Sequence, residues 1–173
     1  MEKNYNPTKK AIISYAGNIG QAQGLESLVE AVKLSKSRNY QIRLIGDGRA
    51  RESLKNLVLS EGLNNQIKFY DSVNSKSLLG LFEESDFLYL SLNDSPLFSK
   101  TVPAKFQTYL ASGVPIIGLI SGETNHLIKD NNLGFSCNAG EANALSKVFD
   151  SLSNIQNSQY QKMKFNCNEL YQS

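Results

Sequence analysis

Ala11-Ile12-Ile13-Ser14-Tyr15-Ala16-Gly17-Asn18-Ile19-Gly20-Gln21-Ala22-Gln23-Gly24 is a short apolar run that breaks into a glycine-rich turn. Directly behind it, Leu25 to Lys36 carries apolar residues at 25, 28, 29, 32 and 34. That spacing is close to the helical period. Strand, glycine turn and helix in that order form the opening of a parallel α/β unit. The same alternation then repeats along the chain.

Gln41 to Ile45 reads as a second strand, stopped by Gly46-Asp47-Gly48, and Glu52 to Ser60 as a helix. Gln66 to Tyr70 is a third strand. Ser75 to Glu84 is a helix, with Asn74 or Ser75 suited to its N-cap. Phe87 to Leu92 is a fourth strand. Pro103 to Ser112 is a helix, with proline in its first turn and Gly113 past its end. Val114 to Ile120 and Gly134 to Cys137 supply two further strands. Thr124 to Lys129, Glu141 to Leu152 and Ser158 to Leu170 supply helices. The strands are continuous apolar runs, so both faces of the sheet are covered. Right-handed crossovers then give a Rossmann-like open parallel sheet of about six strands with helices on both faces. Ligands of such sheets sit at the carboxyl ends of the strands. The loops 17–24, 46–48, 71–74, 93–102 and 121–124 are therefore where function is expected.

The division expected is a linker over 1–10, one binding domain over 11–153, and a peripheral or partly frayed helix over 154–173, a stretch rich in Asn, Gln and Ser. The 173 residues suit a single domain, and 40% hydrophobic content fills its core. A net charge of +2 calls for neither nucleic acid nor an anionic membrane as partner. One histidine and two cysteines thirty positions apart are too few and too dispersed for a structural metal site. Unpaired cysteines fit a reducing cytoplasm. No apolar run approaches the roughly 20 residues of a spanning helix.

Three segments have phosphate-binding character. The glycines of 17–24 let backbone approach a ligand, and free amides at a helix start favour anions. The spacing is neither G-x-G-x-x-G nor a P-loop. Gly46-Asp47-Gly48 offers a second close approach, or a tight turn in which Asp47 caps the next helix. Ser99-Lys100-Thr101-Val102-Pro103-Ala104-Lys105 leads into a helix, with two lysines able to neutralise a diphosphate. Other polar groups have plainer readings. Glu83-Glu84-Ser85-Asp86 is expected to be a solvated helix end on the far edge. His126 sits inside a helix without a partner. Tyr15, Tyr89 and Tyr109 are expected in the core. There is no Asp-x-Asp.

These segments carry a resemblance. Tyr15-Ala16-Gly17-Asn18-Ile19-Gly20 with Gln23-Gly24, then Ile45-Gly46-Asp47-Gly48, then Val102-Pro103-Ala104-Lys105 through Ala111-Ser112-Gly113-Val114-Pro115-Ile116-Ile117, look like the C-terminal domain of GT-B glycosyltransferases. The likeness is to the group 1 (family 4) enzymes, and within them to bacterial surface-polysaccharide transferases of the N-acetyl-L-fucosamine type. It runs from about Ile12 to Phe149.

The resemblance implies a donor domain for a nucleotide sugar, a UDP-sugar above all, working in the cytoplasm or at the inner face of the membrane. An N-terminal acceptor domain or a split subunit would complete it, and any contact with a membrane surface would come through that half. It implies that Gly17, Asn18, Gly20, Lys100, Thr101, Val102 and Lys105 face the diphosphate. Ser72 and Val73 would lie against the base, and Glu123 near the donor sugar. It puts Thr108 at the ribose, where relatives carry glutamate. It also puts Lys100 at a usual glutamate, and Asn18 and Gln23 at usual cations. No cofactor, no metal and no catalytic nucleophile or base within this chain are expected. The alternative is a degenerate GT-B domain that serves as a noncatalytic interaction module, a reading that Thr108 and Lys100 favour.

Overall fold

From Ala11 onward the chain alternates strand and helix, as the apolar runs predict. The computed structural model describes residues 3–173. Its elements are β1 (Ala11–Ala16), α1 (Leu25–Leu34), β2 (Tyr40–Ile45), α2 (Arg51–Ser60), β3 (Ile67–Tyr70), α3 (Ser75–Glu84) and β4 (Phe87–Ser91). They continue with α4 (Pro96–Ser99), α5 (Ala104–Ser112), β5 (Ile116–Leu119), α6 (Glu123–Asp130), β6 (Gly134–Cys137), α7 (Ala142–Ser151) and α8 (Asn157–Gln172). The six strands form one sheet in the order β3-β2-β1-β4-β5-β6, and every adjacent pair is parallel. That is the doubly wound Rossmann order, in which the direction of winding reverses between β1 and β4.

Side-chain alternation along the strands feeds two cores, one on each face. Ile13 and Tyr15 of β1 pack with Leu28 and Val32 of α1 and with Leu145 and Phe149 of α7. On the other face Leu88 and Leu90 of β4 pack with Phe82, Phe106, Tyr109 and Leu110 from α3 and α5.

Local sequence sets the ends of the elements. The Asn74 side chain accepts from Ser77 N at 2.8 Å and starts α3. Gly113, at φ +70°, closes α5 in the left-handed conformation. Pro103 is the N-cap of α5 rather than a residue of its first turn. The one-turn α4 was not expected, although Ser95-Pro96 carries its signal. The Ser95 hydroxyl accepts from Leu97 N at 3.3 Å, and proline opens the turn.

Three expectations about the ends and edges change. Residues 3–10 are more than a linker. Tyr5 is buried, stacks on Tyr160 with ring centroids 4.8 Å apart, and donates to Leu152 O at 2.7 Å. Residues 157–172 form one unbroken helix that buries Tyr160, Met163 and Cys167. The polar composition that suggested fraying belongs to its outer side. Asp86 is not part of a solvated helix end either. It is largely buried, accepts from Ile12 N at 2.8 Å and pairs with Lys3 at 3.1 Å. Glu83 and Glu84 are exposed as expected.

Candidate donor-binding cleft

The reversal point shapes the site. β1 and β4 pair only at Ile13–Phe87 and Ser14–Leu88. Beyond that register the Tyr109 hydroxyl of α5 takes over. It donates to Tyr89 O at 2.8 Å and accepts from Ala16 N at 3.4 Å. Buried backbone groups left without a partner are costly, so one phenol lets the two strands part without that penalty. Tyr15, Tyr89 and Tyr109 are core residues, as their positions predict, but Tyr109 is also a polar bridge. Just above, Asn93 N donates to Ala22 O at 2.8 Å and ties the two loops that flank the gap.

The loops after β1 and β2 are locked backbone to backbone. Gly17 N donates to Ile45 O at 3.0 Å, Ile19 N to Asp47 O at 2.8 Å, and Ala50 N returns to Ile19 O at 3.0 Å. Gly46 has φ +147°, and a Cβ there would overlap the carbonyl of Gly17. Its glycine is needed for loop-on-loop packing. Asp47 does not cap α2, whose N-cap is Ala50. Its Oδ1 instead accepts from Gly48 N at 2.8 Å.

These loops and the one after β3 enclose a cleft of about 340 Å³, lined by Gly17, Asn18, Gly46, Asp47, Ser72 and Val73 among others. Four residues named from sequence therefore meet in one space. Gly20 is not among them. It borders a separate depression with Gln23 and Arg49, and its N–H is taken by Gln23 Oε1 at 3.0 Å. The reason is local: the side chain of Gln23 folds back over the turn. Of the first-loop amides, Gly17, Ile19 and Gly20 are all engaged internally, and Asn18 N has no protein acceptor among the described residues.

Lys105 lies beside this cleft. Its Nζ stands 3.8 Å from the centroid of the Tyr15 ring, and a Cβ on Gly17 would run into it. No carboxylate pairs with it among the described residues. Burial alone lowers its pKa to about 8. Removal from water disfavours the charged amine, and the ring face offsets only part of that loss. Burial pushes the Tyr15 phenol upward, so it stays neutral.

The remaining residues named from sequence are dispersed. Lys100 is exposed at the end of α4. Thr101 N–H donates to Phe98 O at 3.2 Å, so that amide is already used, whereas Val102 N has no protein acceptor among the described residues. Thr108 is exposed, and its hydroxyl donates to Ala104 O at 3.4 Å on its own helix. Glu123 is exposed in the first turn of α6. It is held at the same rim because Gly122 packs on the Ser99 backbone and the Thr124 hydroxyl donates to Thr101 O at 3.4 Å. His126 is exposed within α6. Asp47, which the sequence offers only as a turn residue or helix cap, also lines the cleft, as does Leu78. For Asp47 the only signal is its place at the end of the second strand, on the ligand-binding rim of a doubly wound sheet. Leu78 had only the helical period, which also serves a core.

The model of the family described as glycosyl transferases group 1 matches residues 1–168. Among curated proteins, the chain is 25% identical over 145 residues to a probable glycosyltransferase, WbjE, of Pseudomonas aeruginosa, covering 83% of this chain and 36% of that protein. It is 29% identical over 107 residues to the putative colanic acid biosynthesis glycosyl transferase WcaI of Escherichia coli K12, covering 62% and 26%. The chain thus spans about a third of the length of such relatives. Among solved structures, Anabaena Alr3699/HepE in complex with UDP and glucose superimposes with a TM-score of 0.76 at 15% identity, covering 95% of this chain and 44% of that one. The catalytic domain of cholesterol-α-glucosyltransferase from Helicobacter pylori gives 0.77 at 18% identity, covering 95% and 98%. At these identities the structural matches carry the fold.

Proposed function

The chain belongs to the group 1 glycosyltransferases as a C-terminal GT-B domain, and from that premise we propose that it binds the UDP-sugar donor. The observation that carries this reading is the convergence of Gly17, Asn18, Ser72 and Val73 on one cleft with Lys105 beside it. The base lies against Ser72 and Val73, and the diphosphate against Gly17 and Asn18. Lys105 supplies the counter-charge, with the free amides of Asn18 and Val102 as donors and Lys100 and Thr101 as outer contacts. Glu123 stands near the sugar. A hexosyl or N-acetylaminosugar group is then transferred to a polysaccharide or lipid-linked acceptor held by a separate N-terminal domain or subunit, on the cytoplasmic side.

In the transfer step, negative charge grows on the leaving UDP. Groups aimed at that charge from a fixed scaffold lower the barrier. Lys105 and the rim amides do this without a metal in the proposed scheme. Among the described residues no helix is long and apolar enough to cross a membrane.

Thermal unfolding with UDP, UDP-glucose and UDP-N-acetylhexosamines tests the reading. A ligand that binds only the folded state stabilises it by RT ln(1 + [L]/Kd), about 2.7 kcal/mol at 100 times Kd. Saturable stabilisation by UDP, unchanged by a chelator, is expected. No stabilisation by any nucleotide would leave the noncatalytic module as the better reading, and Thr108, turned onto its own helix, is the observation that favours it.

A further inference from the structure

The strand order makes a statement about the middle of the cleft. β2 lies between β3 and β1. The loops after these strands therefore succeed one another along the rim as Ser72-Val73, then Gly46-Asp47, then Gly17-Asn18, and all six residues line the same space. Neighbouring strands are about 4.8 Å apart, so the outer two loops are separated by about twice that. A nucleotide has the same order built into its covalent structure: base, ribose, phosphate. If the base sits at the β3 loop and the phosphates at the β1 loop, the ribose falls at the β2 loop.

The side chain there is a carboxylate with capacity to spare. Asp47 Oδ1 accepts from Gly48 N at 2.8 Å. Among the described residues Oδ2 has no hydrogen-bond partner, and no lysine or arginine pairs with either oxygen. An unpaired carboxylate repels phosphate, which sets it against the diphosphate end. It is well matched to a pair of vicinal hydroxyls, which it can accept from with both oxygens. The residue that the family resemblance puts at the ribose does not compete for this role. Thr108 does not line the cleft, and its hydroxyl is spent on Ala104 O.

We propose that Asp47 is the residue that reads the ribose, its carboxylate accepting hydrogen bonds from the 2′- and 3′-hydroxyls of the nucleotide. This rests on the nucleotide-binding reading above, with the base and diphosphate ends as assigned there. It makes the domain selective for ribonucleotide over deoxyribonucleotide donors through a position in the loop after β2.

Titration calorimetry with UDP and 2′-deoxy-UDP tests it on the chain itself and on D47N, D47S and T108V. The unsubstituted protein is expected to bind UDP at least about tenfold more tightly than 2′-deoxy-UDP, the scale of a hydrogen bond to a charged group. D47N should bring that ratio below about threefold, weakening 2′-deoxy-UDP, which keeps only its 3′-hydroxyl bond, less than it weakens UDP, and T108V should keep the full ratio. D47S removes the carboxylate in a second way, and thermal unfolding checks both variants. An unchanged ratio in D47N, an equal loss for both nucleotides, or collapse of the ratio in T108V instead would overturn the proposal. So would failure of both Asp47 variants to fold, because it would make the exposed carboxylate structural. Absence of UDP binding by the unsubstituted chain would instead remove the nucleotide reading itself, and this inference with it.

Discussion

The two halves of the sheet's carboxyl rim are built on different principles. On the β1–β2–β3 side, the loops grip one another through backbone. Gly17, Ile19 and Ala50 donate across to Ile45, Asp47 and Ile19, and Gly46 N reaches Tyr70 O at 3.1 Å. On the β4–β5 side, Asn93 is fastened to the first loop, but Lys100, Thr101 and Thr108 are exposed, and the two threonine hydroxyls bond only to carbonyls three or four residues back in the chain. The first half has spent its amides on shape. The second has spent the hydroxyls of Thr101 and Thr108 on nearby carbonyls and leaves Lys100 and the Val102 amide free among the described residues. On the function proposed above, a rigid wall facing an adaptable one suits a site that holds a nucleotide and then meets a second domain.

Breaking the rigid wall should cost the protein most. Gly46→Ala places a methyl on the Gly17 carbonyl at a backbone angle of +147°. Neither backbone can give way as a side chain can, so the two loops must separate. A loss of about 2–4 kcal/mol in unfolding free energy is expected, together with loss of UDP binding. Chemical denaturation and calorimetry measure the two. A variant that keeps wild-type stability would show that the loops are not locked.

Next in size is the cation that joins the two halves. Lys105 reaches from α5 across to Tyr15 and Gly17, so it belongs to one half by sequence and to the other by contact. Lys105→Met should weaken UDP binding by about tenfold to a hundredfold, the range for a charge-assisted bond. Its pH dependence distinguishes it from a packing effect. In the empty site the amine loses its proton near pH 8, below the ordinary lysine value of 10.5. A bound diphosphate favours the charged form and raises that value. Binding above pH 8 therefore takes up a proton, and affinity falls as pH rises from 8 toward 10. The folding equilibrium runs the other way. The unfolded chain binds more protons in that window, so this group's desolvation penalty is full below pH 8 and is relieved as pH rises. Calorimetry in two buffers of different ionisation enthalpy should show proton uptake that K105M abolishes. Affinity independent of pH between 7 and 10 would remove Lys105 from the diphosphate.

This division also explains what the sequence could and could not disclose. The apolar runs fix strands and helices because each buries a continuous patch, and glycine turns mark where they end. Gly17, Asn18, Ser72 and Val73 could be placed at one rim because the topology puts every strand end there. The fate of each amide was not legible. Whether Gly20 N–H faces a ligand depends on the rotamer of Gln23, and whether Thr101 N–H is free depends on a one-turn helix that nothing but Ser95-Pro96 announces. Asp47 was hidden by a plausible alternative, since a polar residue before a helix is more often its cap. Tyr5 and Asp86 read from sequence as linker and solvated helix end because their partners, Tyr160, Lys3 and Ile12, come from distant sequence.

The smallest effect should come from the adaptable wall. Lys100 shares its sign with Lys105 and lies only five residues earlier, yet it is exposed and without a carboxylate partner among the described residues. Water screens an exposed charge, and a flexible side chain loses entropy when it is fixed. Lys100→Ala should change stability by no more than about 0.5 kcal/mol. It should weaken UDP binding less than about threefold at physiological salt, with the difference shrinking further at 1 M salt, where screening acts over about 3 Å. If K100A instead matches K105M in affinity and in insensitivity to salt, the second half of the rim closes over the nucleotide on binding, and the contrast between a rigid and an adaptable wall describes only the empty site.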